Sequence, residues 1–138
     1  MPAIRRGGAS DLPAVDAIQR RSPEASQWNP ESYLQYDFFV AIEGEAVIGF
    51  VSVRAVAPEE YEILNLAVAP EWRHRGVARR LLSTWLEGVS GDVFLEVRAS
   101  NLGAQKFYKS LGFQQVTYRS NYYQDPPEAA IVMKFHSC

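Results

Sequence analysis

A carboxylate interrupts an apolar stretch at residues 93–101, which read VFLEVRASN. The alternation of a β-strand places Leu95 and Val97 on one face and Glu96 on the other. An ionised carboxylate is rarely buried without a partner, because desolvation disfavours its charged form. From the residues alone Glu96 has two interpretations. It forms an ion pair with a neighbour such as Arg98, or it is a general base whose largely apolar setting suits proton transfer near pH 7.

A tyrosine in the next apolar stretch is the second residue that could move a proton. It belongs to a set spaced i, i+3, i+4 and i+7, as on the buried face of a helix: Ala104, Phe107, Tyr108 and Leu111. Gly112 is suited to end that helix. A buried tyrosine hydroxyl needs a partner, and it can also donate a proton. The spacing alone favours a core role for Tyr108.

Three cations, Arg73, His74 and Arg75, precede a predicted helix in the segment AVAPEWRHRGVARRLL. Positive side chains at a helix N-terminus oppose the helix dipole, so their position is favourable if an anion lies between them and the free backbone N–H groups. Gly76 lacks a Cβ and would allow a phosphate close to the backbone. Ala78 is also small. The pattern indicates a phosphate-binding loop.

Two other interpretations of this basic segment remain open. It could be a solvated charged turn with a chance glycine, which composition alone favours about equally. It could also be an RNA-binding patch that includes Arg79 and Arg80, although no aromatic-rich motif of an RNA-binding sheet accompanies it. The segment has neither the G-x-G-x-x-G pattern nor the Gly-Lys-Ser/Thr ending of the common nucleotide-binding loops.

Length and composition favour one globular domain over residues 1–138, with 47% hydrophobic and 22% charged residues. The formal charge of -2 argues against a stable nucleic-acid partner. Cys138 has no cysteine to pair with, and His74 and His136 lie far apart, so we expect neither a disulfide nor a metal site. The absence of a secretion signal and of a bilayer-spanning apolar run predicts a cytoplasmic protein with no membrane partner.

The periodicity predicts an α/β domain with a mixed sheet, antiparallel at the front and linked by crossovers in the middle. Ser10 is expected to cap the first helix, which ends near residue 21. Further helices are expected at 30–36, from residue 76 and over 104–111, and strands at 3–6, 38–42, 46–55, 61–68, 93–98, 113–118 and 130–135. Residues 22–29 and 119–128 are expected to be loops.

The pattern Arg73-x-x-Gly76-x-Ala78 on a strand-to-helix turn resembles the acetyl-CoA loop of the GCN5-related N-acetyltransferases (GNAT). Four further runs are similar to the bacterial branch that acetylates ribosomal-protein alanine: NLAVAP at 65–70, LEVRASN at 95–101, FYKSLGF at 107–113 and RSNYY at 119–123. The likeness extends from residue 65 to residue 133, with weaker agreement over residues 10–50.

This resemblance implies a mixed sheet of six or seven strands with helices on both faces, splayed between the strands that end near Val68 and Val97. Acetyl-CoA would enter the splay. Its pyrophosphate would bind backbone N–H groups of the loop, its pantetheine arm would pair with one strand, and Asn101 would hydrogen-bond that arm. The implied acetyl-CoA-binding residues are Leu66, Ala67, Val68, Arg73, His74, Arg75, Gly76, Val77, Ala78, Arg79 and Asn101. His74 and Arg75 replace a commoner arginine–glutamine pair.

The resemblance also implies direct transfer of an acetyl group to a protein N-terminal α-amine, most plainly the alanine of a small-subunit ribosomal protein. Glu96 would be the general base and Tyr108 the general acid, with no metal and no covalent enzyme intermediate. Lysine side chains or small-molecule amines are alternative acceptors, and a non-catalytic acyl-CoA-binding module is an alternative function. Tyr122 and Tyr123 would cover the incoming peptide or only pack their loop. The segment 22–35 matches the family poorly, which leaves acceptor recognition open.

Overall fold

A computed structural model describes residues 2–23, 25–123 and 127–137. Within these ranges the strands are β1 Ala3–Arg6, β2 Asp37–Glu43, β3 Ala46–Ala57, β4 Glu60–Val68, β5 Gly91–Arg98, β6 Gln114–Tyr123 and β7 Glu128–Ser137. The helices are α1 Leu12–Arg20, α2 Val77–Glu87 and α3 Leu102–Ser110. Short 3-10 helices lie at Ala9–Asp11, Pro30–Gln35 and Pro70–Trp72. Cys138, at which no disulfide was expected, lies outside the described residues.

Hydrogen bonds order the strands as β1-β2-β3-β4-β5-β7-β6, in one seven-stranded sheet. The pairs β1–β2, β2–β3, β5–β7 and β6–β7 are antiparallel, whereas β4 and β5 pair in parallel. The parallel ladder joins residues 60–62 to residues 92–94. The predicted mixed sheet of six or seven strands is therefore confirmed.

Chain contacts divide the molecule into two compact units, Met1–Arg54 with Ile63–Val89, and Ala55–Glu62 with Ser90–Cys138. The first unit is built around apolar residues of α1, the Pro30–Gln35 turn, β2 and β3. The members of this core that are at most 4% exposed are Val15, Ile18, Tyr33, Phe38, Val40, Phe50 and Ala69. Val15 and Ile18 are three residues apart in α1, so both lie on the helical face that meets the core.

The start of α1 differs from the sequence prediction. A 3-10 turn precedes the helix, so Ser10 is not its N-cap. Asp11 instead is buried and accepts three hydrogen bonds, two from the Arg5 guanidinium at 2.8 Å and one from the Gly8 N–H at 2.9 Å. The hydrogen bonds from Arg5 are the main reason that the pKa of Asp11 lies below its usual value. The two-pronged contact fixes β1 to the entry of α1.

Replacing Asp11 with asparagine is expected to lower the free energy of unfolding at pH 7 by about 1–2 kcal/mol, because charge-assisted hydrogen bonds to a buried carboxylate are lost. The folded-state pKa of Asp11 is depressed, so its contribution is complete above the unfolded pKa and disappears as pH falls through the folded pKa. The deficit should therefore shrink below about pH 4. Urea unfolding at several pH values measures it. Asp37→Asn is the control, since its pair with Arg6 is more than half exposed on both sides and should matter little. Equal losses for the two variants would contradict this account.

The second unit contains β5, α3, β6 and β7. The buried residues of β5 alternate with half-exposed ones: Val93, Leu95 and Val97 are at most 7% exposed. β7 lies between β5 and β6, which makes β6 an edge strand. The predicted loop at 119–128 is wrong over 119–123, which continue β6, and at residue 128, where β7 begins. Residues 124–126 lie outside the described part of the chain.

Candidate active site

Glu96 lies on the face of β5 opposite Leu95 and Val97, as the alternation predicts. The side chain is 20% exposed, and its Oε1 accepts a hydrogen bond from Arg119 Nη1 at 2.8 Å. The predicted apolar setting is therefore wrong. Arg98, the partner weighed from the sequence, is engaged elsewhere, because its guanidinium pairs with Glu128 at 3.2 Å. Glu96 belongs to an ion pair at a partly open surface of the second unit.

Two tyrosines of β6 line the surroundings of Glu96. Partial burial, together with a hydrogen bond to Glu96 and the charge of that carboxylate, raises the pKa of Tyr122. Burial also raises the pKa of Tyr123 to about 12, with a further contribution from Glu96. The Arg119 guanidinium lies 4.0 Å above the Tyr122 ring, and that of Arg98 lies 4.3 Å above Tyr123. Both hydroxyls therefore stay protonated at neutral pH beside Glu96.

A second carboxylate, Glu128, fixes the turn between β5 and α3. It accepts a hydrogen bond from the Ser100 N–H at 2.5 Å and pairs with Arg98. The hydrogen bond from Ser100 is the main reason that the pKa of Glu128 is lowered. This contact holds the LEVRASN segment near its C-terminal end, two residues before α3 begins.

Tyr108 is buried on α3 between aromatic rings. Its centroid lies 5.2 Å from that of Phe107 and 5.5 Å from that of Phe113, both in edge-to-face geometry. Burial raises the pKa of its hydroxyl, and Tyr123 contributes in the same direction. Tyr108 is thus a core residue, as its spacing indicates, and it also keeps a proton that it could donate. Glu96, Tyr108 and Asn101 all belong to the second unit.

The predicted phosphate loop belongs to the first unit. The chain adopts left-handed conformations at His74, with φ of 63°, and at Gly76, with φ of 80°. Gly76 caps α2, and its carbonyl accepts the first hydrogen bond of the helix from the Arg80 N–H. The amides of residues 77–79 therefore lie at the helix N-terminus, where amides have no intrahelical acceptor. A Cβ built on Gly76 would meet no atom within 4 Å, so the space over this turn is open.

Arg73 holds the loop rather than facing open solvent. Its Nε donates to the Val68 carbonyl at 3.2 Å, and its Nη2 donates to Ser22 Oγ at 2.9 Å. Arg75 is exposed and lies 5.1 Å above the Trp72 ring. The free amides, the open glycine and the exposed Arg75 together fit a pyrophosphate group. Arg73 acts on that site by fixing the turn, a role that the sequence did not predict.

The other residues predicted to bind acetyl-CoA differ in their burial and in their hydrogen bonds. Ala67 and Val68 are buried near the end of β4, and Leu66 is half-buried. The Leu66 N–H donates to the side chain of Asn65 at 3.1 Å. Asn101 caps α3, with its Oδ1 accepting from the Ala104 N–H at 3.1 Å. Its Nδ2 group is therefore the part that could serve a ligand.

A buried polar network in the first unit was missed by sequence reasoning. The Tyr33 hydroxyl donates to Gln19 Oε1 at 2.6 Å, and Asn65 Nδ2 lies 3.0 Å from the Tyr33 oxygen and 2.8 Å from the Ser26 carbonyl. Gln19 Nε2 donates to the Trp28 carbonyl at 2.6 Å. Burial raises the pKa of Tyr33 to about 12. The network joins α1 and β4 to the segment 22–35, whose sequence matches the family poorly.

Replacing Gly76 with alanine is expected to weaken acetyl-CoA binding roughly tenfold, or about 1.4 kcal/mol, because the new methyl group would occupy the open space at the helix N-terminus. The left-handed backbone would also cost about 1–2 kcal/mol of stability. Gly44→Ala is a matched control, since Gly44 has φ of 62° and equally open space. Calorimetric titration should show weaker binding for Gly76→Ala alone. Equal affinities for acetyl-CoA in the two variants would show that the phosphate does not bind at this turn.

The described residues contain neither a metal-binding cluster nor a membrane-spanning helix. They contain no group of three or more His, Cys, Asp or Glu side chains arranged to hold a metal ion. Among the same residues, no helix is long and apolar enough to cross a bilayer.

Comparison with known proteins places these features in a family. Residues 10–113 match the model of the Acetyltransferase (GNAT) family. The ribosomal protein bS18-alanine N-acetyltransferase of Escherichia coli strain K12 is 32% identical over 140 residues, which cover 90% of each chain. A crystal structure of the Escherichia coli ribosomal-protein-S18-alanine N-acetyltransferase has a TM-score of 0.85 at 31% identity, covering 99% of this chain and 94% of that one. Ard1 from Thermoplasma volcanium has a TM-score of 0.90 at 26% identity, covering 99% and 98%. The family model spans more than half of the sequence, and the chain belongs to the GNAT family of acetyltransferases.

Proposed function

We propose that the protein transfers an acetyl group from acetyl-CoA to the α-amino group of a protein N-terminus. The alanine of a small-subunit ribosomal protein is the first candidate acceptor, because that is the acceptor named for the similar Escherichia coli enzyme. The observation that carries the proposal is the surroundings of Glu96: a carboxylate in mid-strand, beside two protonated tyrosines and open enough for a ligand to reach it.

An α-amino group has a reference pKa of about 7.7–8.0, so much of it is protonated at neutral pH and cannot attack. Glu96 would accept one proton from the acceptor ammonium, directly or through a water molecule. The amine nitrogen then forms its bond to the acetyl carbon while the carbon–sulfur bond breaks. Tyr108, kept protonated by burial, would supply a proton to the departing sulfur. The nitrogen loses a second proton as the amide forms, and this proton, passed through water, restores Tyr108, while Glu96 releases its proton to solvent. Protons then balance, and no side chain is acylated.

Acetyl-CoA is assigned to the loop of the first unit. The amides of residues 77–79 and the exposed Arg75 would hold its pyrophosphate, and Gly76 would let the phosphate oxygens approach the backbone. The backbone of residues 66–68 would pair with the pantetheine arm. Arg73 would keep the loop in shape through its contacts to Val68 and Ser22.

The test is release of free thiol from acetyl-CoA in the presence of three acceptor classes: N-terminal peptides, internal lysine peptides and small amines. We expect turnover with N-terminal peptides, with an alanine-initiated ribosomal sequence among the best, and a product whose mass increase maps to the α-amine. Turnover confined to lysine peptides or to small amines would show that the acceptor is a lysine side chain or a small-molecule amine instead. Binding of acetyl-CoA without any turnover would favour a non-catalytic acyl-CoA module.

A further inference from the structure

The register of the two last strands contains a one-residue shift. Gln115 pairs with Met133 of β7, but the next pair along the ladder is Thr117 with Val132, so the ladder skips Val116. This is the pattern of a β-bulge, which adds one residue to one strand and turns all following side chains to the opposite face. Bulges of this kind commonly redirect side chains beside active sites.

The bulge decides which residue of β6 faces Glu96. Directly paired residues share a face, and on this face β5 and β7 join Glu96 to Val132 and Arg98 to Ala130. Because of the shift, Arg119 is the partner of Ala130. If the ladder were regular, with Val116 opposite Val132, the residue opposite Ala130 would be Tyr118, and the guanidinium would lie on the other face of the sheet.

Both side chains of the ion pair between Arg119 and Glu96 are held in a defined position. Arg119 Nη1 holds a single carboxylate oxygen of Glu96, Oε1, and the guanidinium is stacked on the ring of Tyr122. Two other carboxylates on this face have cations of their own: Glu128 pairs with Arg98, and Asp92 pairs with Lys134. Arg119 is thus the cation specifically associated with Glu96.

We propose that Arg119 is a positioning residue for the acetyl-transfer reaction, set on the Glu96 face by the bulge at Val116. By holding Oε1, it fixes the rotamer of Glu96 so that Oε2 faces the acceptor amine and takes its proton. This inference rests on the proposed role of Glu96 as the base. Tyr122 helps to position Arg119, because the guanidinium lies over the Tyr122 ring.

The test is a double-mutant cycle on kcat, with Arg119→Met made in the wild-type and in the Glu96→Gln background. We expect a loss of about 10–100-fold in the wild type, the range that misplacing a catalytic group produces, and less than about twofold in the Glu96→Gln background. The KM for acetyl-CoA should stay unchanged. The same fold loss in both backgrounds would overturn the proposal, because Arg119 would then act independently of Glu96.

A matched cation and the bulge itself provide the controls. Lys134→Met removes a cation from the same face and should change kcat by less than about twofold. Deletion of Val116 closes the bulge but leaves Thr117 opposite Val132 and Arg119 opposite Ala130. It should therefore retain wild-type kcat in protein whose far-UV circular dichroism matches the wild type, and the kcat of Arg119→Met there would overturn the placement of Arg119 by the register. The Glu96→Gln single variant tests the proposed function separately. If it slows the reaction while Arg119→Met does not, only the positioning role fails.

Discussion

Replacing Glu96 with glutamine is expected to lower kcat by ~10²–10⁴-fold, the usual contribution of a general base, while acetyl-CoA binds nearly as tightly as before. Glutamine keeps the shape of the side chain and an oxygen that can accept from Arg119, so the loss isolates proton transfer from packing. Steady-state thiol release and calorimetric titration of acetyl-CoA measure the two quantities.

Asp92→Asn is the matched control for this result. Asp92 lies on the same face of β5, four residues earlier, and it too has basic partners, His136 at 2.7 Å and Lys134 at 3.5 Å. Its replacement should change kcat by less than about twofold, since substitutions away from a site rarely matter. Unchanged turnover in Glu96→Gln would remove Glu96 as the base.

Replacing Tyr108 with phenylalanine is expected to slow the chemical step by ~10²-fold or more, because the general acid that protonates the leaving sulfur would be lost. The ring contacts with Phe107 and Phe113 remain, so stability should change little. Single-turnover measurements of acetyl transfer detect the change directly. Assays with acyl donors of lower thiol pKa should recover part of the rate, since a better leaving group needs less help from an acid.

Tyr118→Phe is the comparison, because Tyr118 is 61% exposed and lies on the other face of β6 from Arg119. It should retain the wild-type rate. A normal single-turnover rate in Tyr108→Phe would leave Tyr108 with a core role alone.

The periodicity of the sequence predicted much of the secondary structure of the second unit, and also the faces on which its side chains lie. The alternation of β5 assigned Glu96 to the face opposite Leu95 and Val97, and the helical spacing of α3 assigned Tyr108 to the buried stripe. Both predictions need only side-chain direction within one element, which local sequence determines. The seven strands of the mixed sheet agree with the six or seven that the family resemblance implies, and periodicity had placed a strand near each of them.

The partner of Glu96 could not be predicted in this way. Arg98 was the nearest cation in sequence, but Arg119 reaches Glu96 across β7, twenty-three residues later. That contact depends on the register shift at Val116, and one added residue in a polar edge strand leaves no mark in the hydrophobic pattern. The same strand was predicted to end at residue 118, because residues 119–128, with their double proline, were assigned to one loop.

The network of Gln19, Tyr33 and Asn65 was missed for a related reason. Each side chain belongs to a different element, and amide and hydroxyl groups carry no periodic signal. The available hint was Asn65, a polar residue inside the apolar end of β4. A buried amide in such a strand needs hydrogen-bond partners, and here they come from the segment whose sequence matched the family least.

The contacts of Arg73 have a consequence for how a coenzyme associates with this protein. The side chain already ties the turn before α2 to the end of β4 and to Ser22, so the loop is preorganised. Association would then immobilise few backbone torsions and lose little conformational entropy. Phosphate binding would then depend on the rigidity that the loop already has in the free protein. Amide hydrogen exchange should slow on coenzyme binding at residues 77–79, whose amides gain an acceptor, and stay nearly unchanged at Arg80, whose amide already donates to the Gly76 carbonyl.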